Sequence, residues 1–252
     1  MSIFRYAESY LATHDLPQSS KFHKWTPTSE EEMRRFIAMT VAMRLTKQSD
    51  LCDYWSTDEI IHIPFYRKIM SRDRFLSILT FFHLADNDHY IPRGQSGYDP
   101  LFKLGTFYHT VTNNFSTYWL PGREIAVDEG LVPFNGRIHF KVYNPMKPKK
   151  YGMKSFELCD GSNAYCCKYK LYCGDDGQPG SDKGKTYDTV MHLCRDYTGV
   201  GRVLFVDNYY SSPQLFHDLS KGAILATGTC RYRKGFSLFI FELQDLILMF
   251  IF

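Results

Sequence analysis

The sequence predicts an α/β protein: a helical amino-terminal region followed by a partial, mixed β-sheet core. Three observations carry that expectation. From Ser29 to Trp119 the apolar residues recur at helical spacing. After Pro121-Gly122 the pattern changes to the alternating and continuous apolar runs of strands. Two of those runs, ending Ile125-Ala126-Val127 and Leu204-Phe205-Val206, each lead into an aspartate, Asp128 and Asp207.

Ser29 and Glu32 have the spacing of a capping box, and Met33, Phe36, Ile37, Thr40, Val41 and Leu45 follow on one helical face. A second helix is expected to begin near Ser71 and to bury Phe75, Leu76, Leu79 and Phe82. The segment from Asp86 to Pro100 is rich in Asp, Gly and Pro and reads as a loop. A third helix would carry Leu104, Phe107, Tyr108, Val111, Phe115, Tyr118 and Trp119, stopped by Pro121-Gly122. These stripes are expected to be core surfaces, because an apolar helical face needs a neighbour to cover it.

Beyond Gly122, strands are expected at Glu124 to Asp128, Ile138 to Tyr143 and Tyr165 to Tyr172, then a helix from Thr186 to Tyr197. A buried strand follows at Arg202 to Val206. Ser212 as N-cap with Pro213 behind it opens a helix to Lys221, and Ala223 to Thr229 closes as a last strand. The order β-β-β-α-β-α-β is that of a ribonuclease-H-like core. In that fold the first and fourth strands are parallel neighbours, so Asp128 and Asp207 would face one another. Two carboxylates that close repel, and a bound cation relieves the repulsion. The chemistry expected of such a pair is Mg²⁺-dependent phosphoryl transfer, with Asp128 and Asp207 as both catalytic residues and metal ligands.

The net charge of +3 does not by itself argue for a nucleic-acid partner, but the distribution of charge is informative. Between residues 137 and 154 lie Arg137, Lys141, Lys147, Lys149, Lys150 and Lys154, with no Asp or Glu. Such a run reads either as a surface facing phosphates or as a solvated loop. The seven cysteines show no C-x₂-C spacing, so the sequence offers no zinc motif, and reduced thiols are expected. The amino terminus lacks the apolar segment of a signal peptide, and Glu242 and Asp245 interrupt the apolar stretch 236–252, which argues against a membrane anchor.

Six stretches together resemble piggyBac-type DDE transposases and proteins derived from them. They are Asp53-Tyr-Trp-Ser-Thr-Asp58, Ile69-Met-Ser-Arg-Asp-Arg-Phe75, Val127 to Arg137, Lys147 to Lys154, Val206 to Ser212, and Gly228-Thr-Cys-Arg231. The resemblance implies a helical dimerisation and DNA-binding region over 1–121 and a partial ribonuclease-H-like catalytic core over 122–235. It implies a homodimer acting in the nucleus on double-stranded DNA at TTAA sites, with Mg²⁺ and with no small-molecule substrate. Asp128 and Asp207 match the first two of three acids, and the basic run falls where the family's core approaches DNA.

The third acid, an insertion before it and a Cys-rich zinc-binding segment have no counterpart, and 236–252 reads as an apolar non-family tail. Glu242 is the candidate replacement for the third acid. Three functions stay open at this point: a DNA-binding, catalytically incomplete transposase relative; an active Mg²⁺-dependent enzyme using Asp128, Asp207 and Glu242 or a partner's acid; and a non-catalytic interaction remnant.

Overall fold

The computed structural model of the protein describes residues 10, 11, 13, 15, 17, 20–174, 180–230 and 248–251. The chain forms two compact units that divide between Phe107 and Tyr108. The boundary therefore falls within a helix, earlier than the 121/122 division expected from the change of period.

The first unit holds α1 (Glu30–Thr46), α2 (Pro64–Ile69) and α3 (Arg72–Phe81). The Ser29 hydroxyl caps α1 by accepting from the Glu32 amide at 3.1 Å. The capping box is only half formed, because the Glu32 carboxylate takes a two-pronged contact from Arg74, with Nε and Nη2 both at 2.6 Å. Ser71 caps α3 as expected.

The buried face of α1 is Met33, Phe36 and Met39. Ile37, Val41 and Leu45 are 50%, 62% and 84% exposed, and with Thr40 also exposed, four of the six residues of the expected stripe point outward. The 3-10 turn Leu51–Trp55 and α2 explain the rotation: Tyr54 and Tyr66 pack in the cluster that includes Met39, Ala42 and Met43. The Tyr54 hydroxyl also donates to the Met43 carbonyl at 2.9 Å. On α3 the buried residues are Phe75, Ile78 and Phe81, while Leu79 is exposed.

Helix α4 (Gly105–Tyr118) buries none of its residues fully, which corrects the expectation of a core stripe. Its contacts run along one line. The Tyr108 hydroxyl accepts from the Leu171 amide, the Tyr165 hydroxyl donates to the Phe115 carbonyl, and the Trp119 ring lies 5.7 Å from that of Tyr165. Phe107 and Tyr118 stay exposed.

The second unit is built on β1 (Glu124–Pro133), β2 (Lys141–Tyr143), β3 (Tyr151–Asp160), β4 (Cys166–Leu171), α5 (Lys185–Cys194), β5 (Arg202–Val206), α6 (Pro213–Lys221), β6 (Ile224–Cys230) and β7 (Leu248–Ile251). The sheet order is β2-β3-β1-β5-β6-β7, with β4 also paired to β3. Strands β1, β2, β3 and β4 pair antiparallel, whereas β1/β5, β5/β6 and β6/β7 are parallel.

That is a ribonuclease-H-like arrangement with one correction to its second strand. The neighbour of β1 is β3, not the segment 138–143, of which only Lys141–Tyr143 pairs, at the edge of β3. The basic residues around Lys150 and Lys154 disguise β3 as a loop, yet Gly152, Leu158 and Asp160 on one face and Ser155 on the other are buried. Helices α5 and α6 supply Leu193, Leu215 and Leu219 to the core over Ile125, Val127, Leu158, Leu204 and Ile224. Each such side chain is worth about 1.5–3 kcal/mol when fully buried. Among the described residues no helix is long and apolar enough to cross a membrane.

Two buried charged residues clamp the Pro121-Gly122 turn that launches β1. Asp160, 2% exposed, accepts from the Gly122 amide at 3.1 Å, the Trp119 indole at 2.9 Å, and the Ser162 amide and hydroxyl. Arg202, 7% exposed, donates to the carbonyls of Pro121, Gly122 and Tyr197. The Ser162 and Trp119 hydrogen bonds hold the Asp160 carboxyl well below the usual carboxylate range. A depressed folded value means that this stabilisation is complete above about pH 3.9, the unfolded value, and fades as pH falls toward the folded one. Asp160→Asn should therefore lower the melting temperature at neutral pH, and the gap to the parent should narrow below about pH 3.9. A pH-independent gap in thermal melts would contradict the assignment.

Candidate functional site

Asp128 and Asp207 stand on neighbouring parallel strands. The last register pair of β1 and β5 is Val127 with Val206; Asp128 is the next residue of β1, and Asp207 is the first residue after β5. Both valines are buried and both aspartates exposed, as alternation across a sheet requires. Neighbouring strands lie about 4.8 Å apart, which brings the two acids to one level at the carboxyl end of the parallel pair.

Local structure stiffens this end of β5. The Asp207 carbonyl accepts from the amides of Tyr210 and Ser211, and its Oδ1 accepts from the Tyr209 amide at 2.9 Å. Gly228 on β6 lets the chain approach closely here: a Cβ would lie 2.5 Å from both the Val206 carbonyl oxygen and the Ser211 hydroxyl. The carboxylate oxygens of the pair are hard donors that suit Mg²⁺ or Mn²⁺, and their exposed, level placement fits such an ion.

Sequence reasoning missed the groups around the pair. The Tyr210 hydroxyl donates to Glu129 at 2.8 Å, and burial, then that hydrogen bond, pushes its phenol pKa far up, with the Asp128 and Asp207 charges adding to the shift. Lys154 reaches Glu129 at 3.7 Å and lies over the rings of Phe156 and Tyr209. Across the antiparallel pair, Glu157 is the direct partner of Asp128. Glu157, Cys159 and Cys166 bring one ligand atom each within 4.8 Å of one another. The hydrogen bond with Cys166 lowers the Cys159 thiol pKa, against burial and the Glu157 and Asp128 charges, which raise it. The same hydrogen bond and burial push Cys166 up.

The basic run divides into two groups. Arg137, Lys141, Lys149 and Lys150 are exposed. Lys141 donates to the Gly136 carbonyl and lies 5.9 Å from the Tyr151 ring centroid. Lys147 and Lys154 are half-buried and turn toward Glu129, Lys147 through the Glu129 carbonyl oxygen at 3.5 Å. Their charge is partly spent inside the protein, and the four exposed cations are the ones presented to solvent. Glu242 lies outside the described residues.

The family described as Transposase IS4 matches residues 2–243. The chain is 27% identical over 187 residues to human PiggyBac transposable element-derived protein 3, covering 71% of this chain and 30% of that protein. The human Chimeric ERCC6-PGBD3 protein matches with the same identity and length, over 17% of its own sequence. The chain thus spans less than a third of the length of the curated relatives it matches. A cryo-EM structure of a piggyBac transposase synaptic complex with hairpin DNA superposes with a TM-score of 0.78 at 24% identity, over 93% of this chain and 48% of that one.

Proposed function

The chain belongs to the Transposase IS4 family, and from that premise we propose that it is a double-stranded-DNA-binding, divalent-cation-binding transposase core that is catalytically incomplete as this chain. The observation that carries the reading is that Asp128 and Asp207 each follow the last register pair, Val127 with Val206, of two adjacent parallel strands. Asp128 and Asp207 would hold Mg²⁺, which supplies charge neutralisation at a phosphate and activates the attacking oxygen. The turn at Asp207–Ser211 orients one carboxylate, and β1, paired on both edges, orients the other. These two supply two of the three acids that the resemblance implies, which supports binding of a phosphate backbone without efficient cleavage. A nuclear location and TTAA preference belong to the same reading. The outward row Ile37, Val41 and Leu45 on α1 supports the expectation of a homodimer.

Arg137, Lys141, Lys149 and Lys150 would position the duplex by its phosphates, without reading bases. Each phosphate contact steepens the dependence of log affinity on log salt by about 0.9. Replacing Lys149 and Lys150 together with Gln should weaken binding to a TTAA-containing duplex and flatten that slope by about 1.8. Fluorescence anisotropy over a salt series reads both quantities. An unchanged slope in a folded variant would remove the basic surface from the interface and leave an interaction remnant as the better reading.

A further inference from the structure

We propose that Glu157, Cys159 and Cys166 form a binding site for a soft divalent cation of the zinc class, on the face of the sheet opposite α5 and α6. Cys159 and Cys166 are direct partners across the antiparallel pair β3/β4. The register shifts between Leu158 and Cys159, and this irregularity separates two consecutive cysteines. Cys167 is fully buried among Leu158, Leu193 and Tyr197, while Cys166 is half-buried beside Cys159. Without the shift the two thiols would not share a face with Glu157.

The carboxylate is held in place from two sides. The Ser155 hydroxyl, itself fully buried, donates to Glu157 Oε1 at 2.6 Å. Gly130, the β1 partner of Ser155, leaves the space the carboxylate occupies, since a Cβ there would overlap it. The result is two sulfurs and one oxygen with ligand atoms within 4.8 Å of one another, the spread of three donors around one tetrahedral ion. Three protein ligands leave a fourth position open, and thiolate donors favour zinc-class ions over Mg²⁺. Glu157 is what separates this set from a simple redox pair: a disulfide would use the two cysteines and gain nothing from a carboxylate fixed beside them.

The proposal does not rest on the function assigned to Asp128 and Asp207, and its test separates the two. The full chain, purified with reductant, would be titrated with Co²⁺ as a spectroscopic probe and then with Zn²⁺ as competitor. One Co²⁺ should bind with a thiolate-to-cobalt charge-transfer band that Zn²⁺ removes and Mg²⁺ does not. Cys159→Ser and Cys166→Ser should each weaken Zn²⁺ binding by about 100-fold or more, beyond the 10–100-fold cost of losing a supporting outer contact. Asp207→Asn should leave Zn²⁺ affinity unchanged while affecting the aspartate pair.

A variant-free measurement guards against misfolding. Zn²⁺ should protect Cys159 and Cys166 of the parent chain from alkylation, read by mass spectrometry, and leave the exposed Cys52 reactive. Absence of the band and of protection in the reduced protein, a band that survives loss of both cysteines, or a Cys159–Cys166 disulfide that persists in reductant would each overturn the site.

Discussion

Arg202→Met should destabilise the second unit by about 3–5 kcal/mol, because it leaves three backbone carbonyls without the donor that satisfies them. The guanidinium donates from all three nitrogens, to Gly122, Tyr197 and Pro121 carbonyls at 3.1–3.2 Å, and sits 5.4 Å from the Tyr197 ring centroid. Methionine fills much of the volume but leaves the buried Pro121 and Tyr197 carbonyls and the part-buried Gly122 carbonyl without that donor, each buried acceptor costing about 1–3 kcal/mol before relaxation. For a chain of this size the melting temperature should fall by roughly 10 °C. Arg202→Lys should recover only part of the loss, because an ammonium cannot reproduce the planar fork. Equal stability of the Met variant and the parent in thermal melts would show that the clamp on Pro121-Gly122 is dispensable.

That clamp was not legible in the sequence, and the reason is distance along the chain. Arg202 meets residues about 80 positions earlier, and Asp160 meets Trp119 and Gly122 about 40 positions earlier. Local signals fared better. Ser71 and Ser212 cap their helices through the amides three residues on, an interaction complete within one turn. The strands expected at 124–128, 202–206 and 223–229 announce themselves as short apolar runs between turn residues. Helix α1 shows where periodicity fails: apolar residues occupy both the 33/36/39/43 and the 37/41/45 faces. Only the aromatic turn at Tyr54 decides which is covered.

The candidate site divides along the same line. Asp128 and Asp207 were readable because each acid follows its own buried strand. The fold class then supplied the pairing that β1 and β5 display. Glu157, Cys159 and Cys166 were invisible, since their meeting needs a hairpin register and its one irregularity, and a search for C-x₂-C spacing sees neither. The basic run was readable as composition but not as geometry. Lys154 lies within β3, and with Lys147 it faces Glu129.

In the absence of divalent cation, Asp128→Asn and Asp207→Asn should each be at least as stable as the parent, because each removes one of two carboxylates set level on adjacent strands. Adding Mn²⁺ should reverse that order. The parent gains stability in proportion to the logarithm of metal concentration over its dissociation constant, and the variants, which bind weakly, gain little. At an effective dielectric near 20, unit charges about 4 Å apart interact by about 4 kcal/mol, and solvent exposure of both aspartates reduces this. A loss of at least about tenfold in Mn²⁺ affinity, about 1.4 kcal/mol, is therefore expected for either variant. A merely structural role for these residues would lower stability with and without metal alike, so the crossing of the two melting series is the diagnostic. The same preparations decide the catalytic question. With two matched acids the chain is expected to bind a TTAA-flanked transposon-end duplex and release it uncut in Mg²⁺ or Mn²⁺, because in-line displacement needs both attacking and leaving oxygens stabilised. Robust turnover lost in Asp128→Asn, and lost again in Glu242→Gln, would instead make this chain a working enzyme with Glu242 as its third acid.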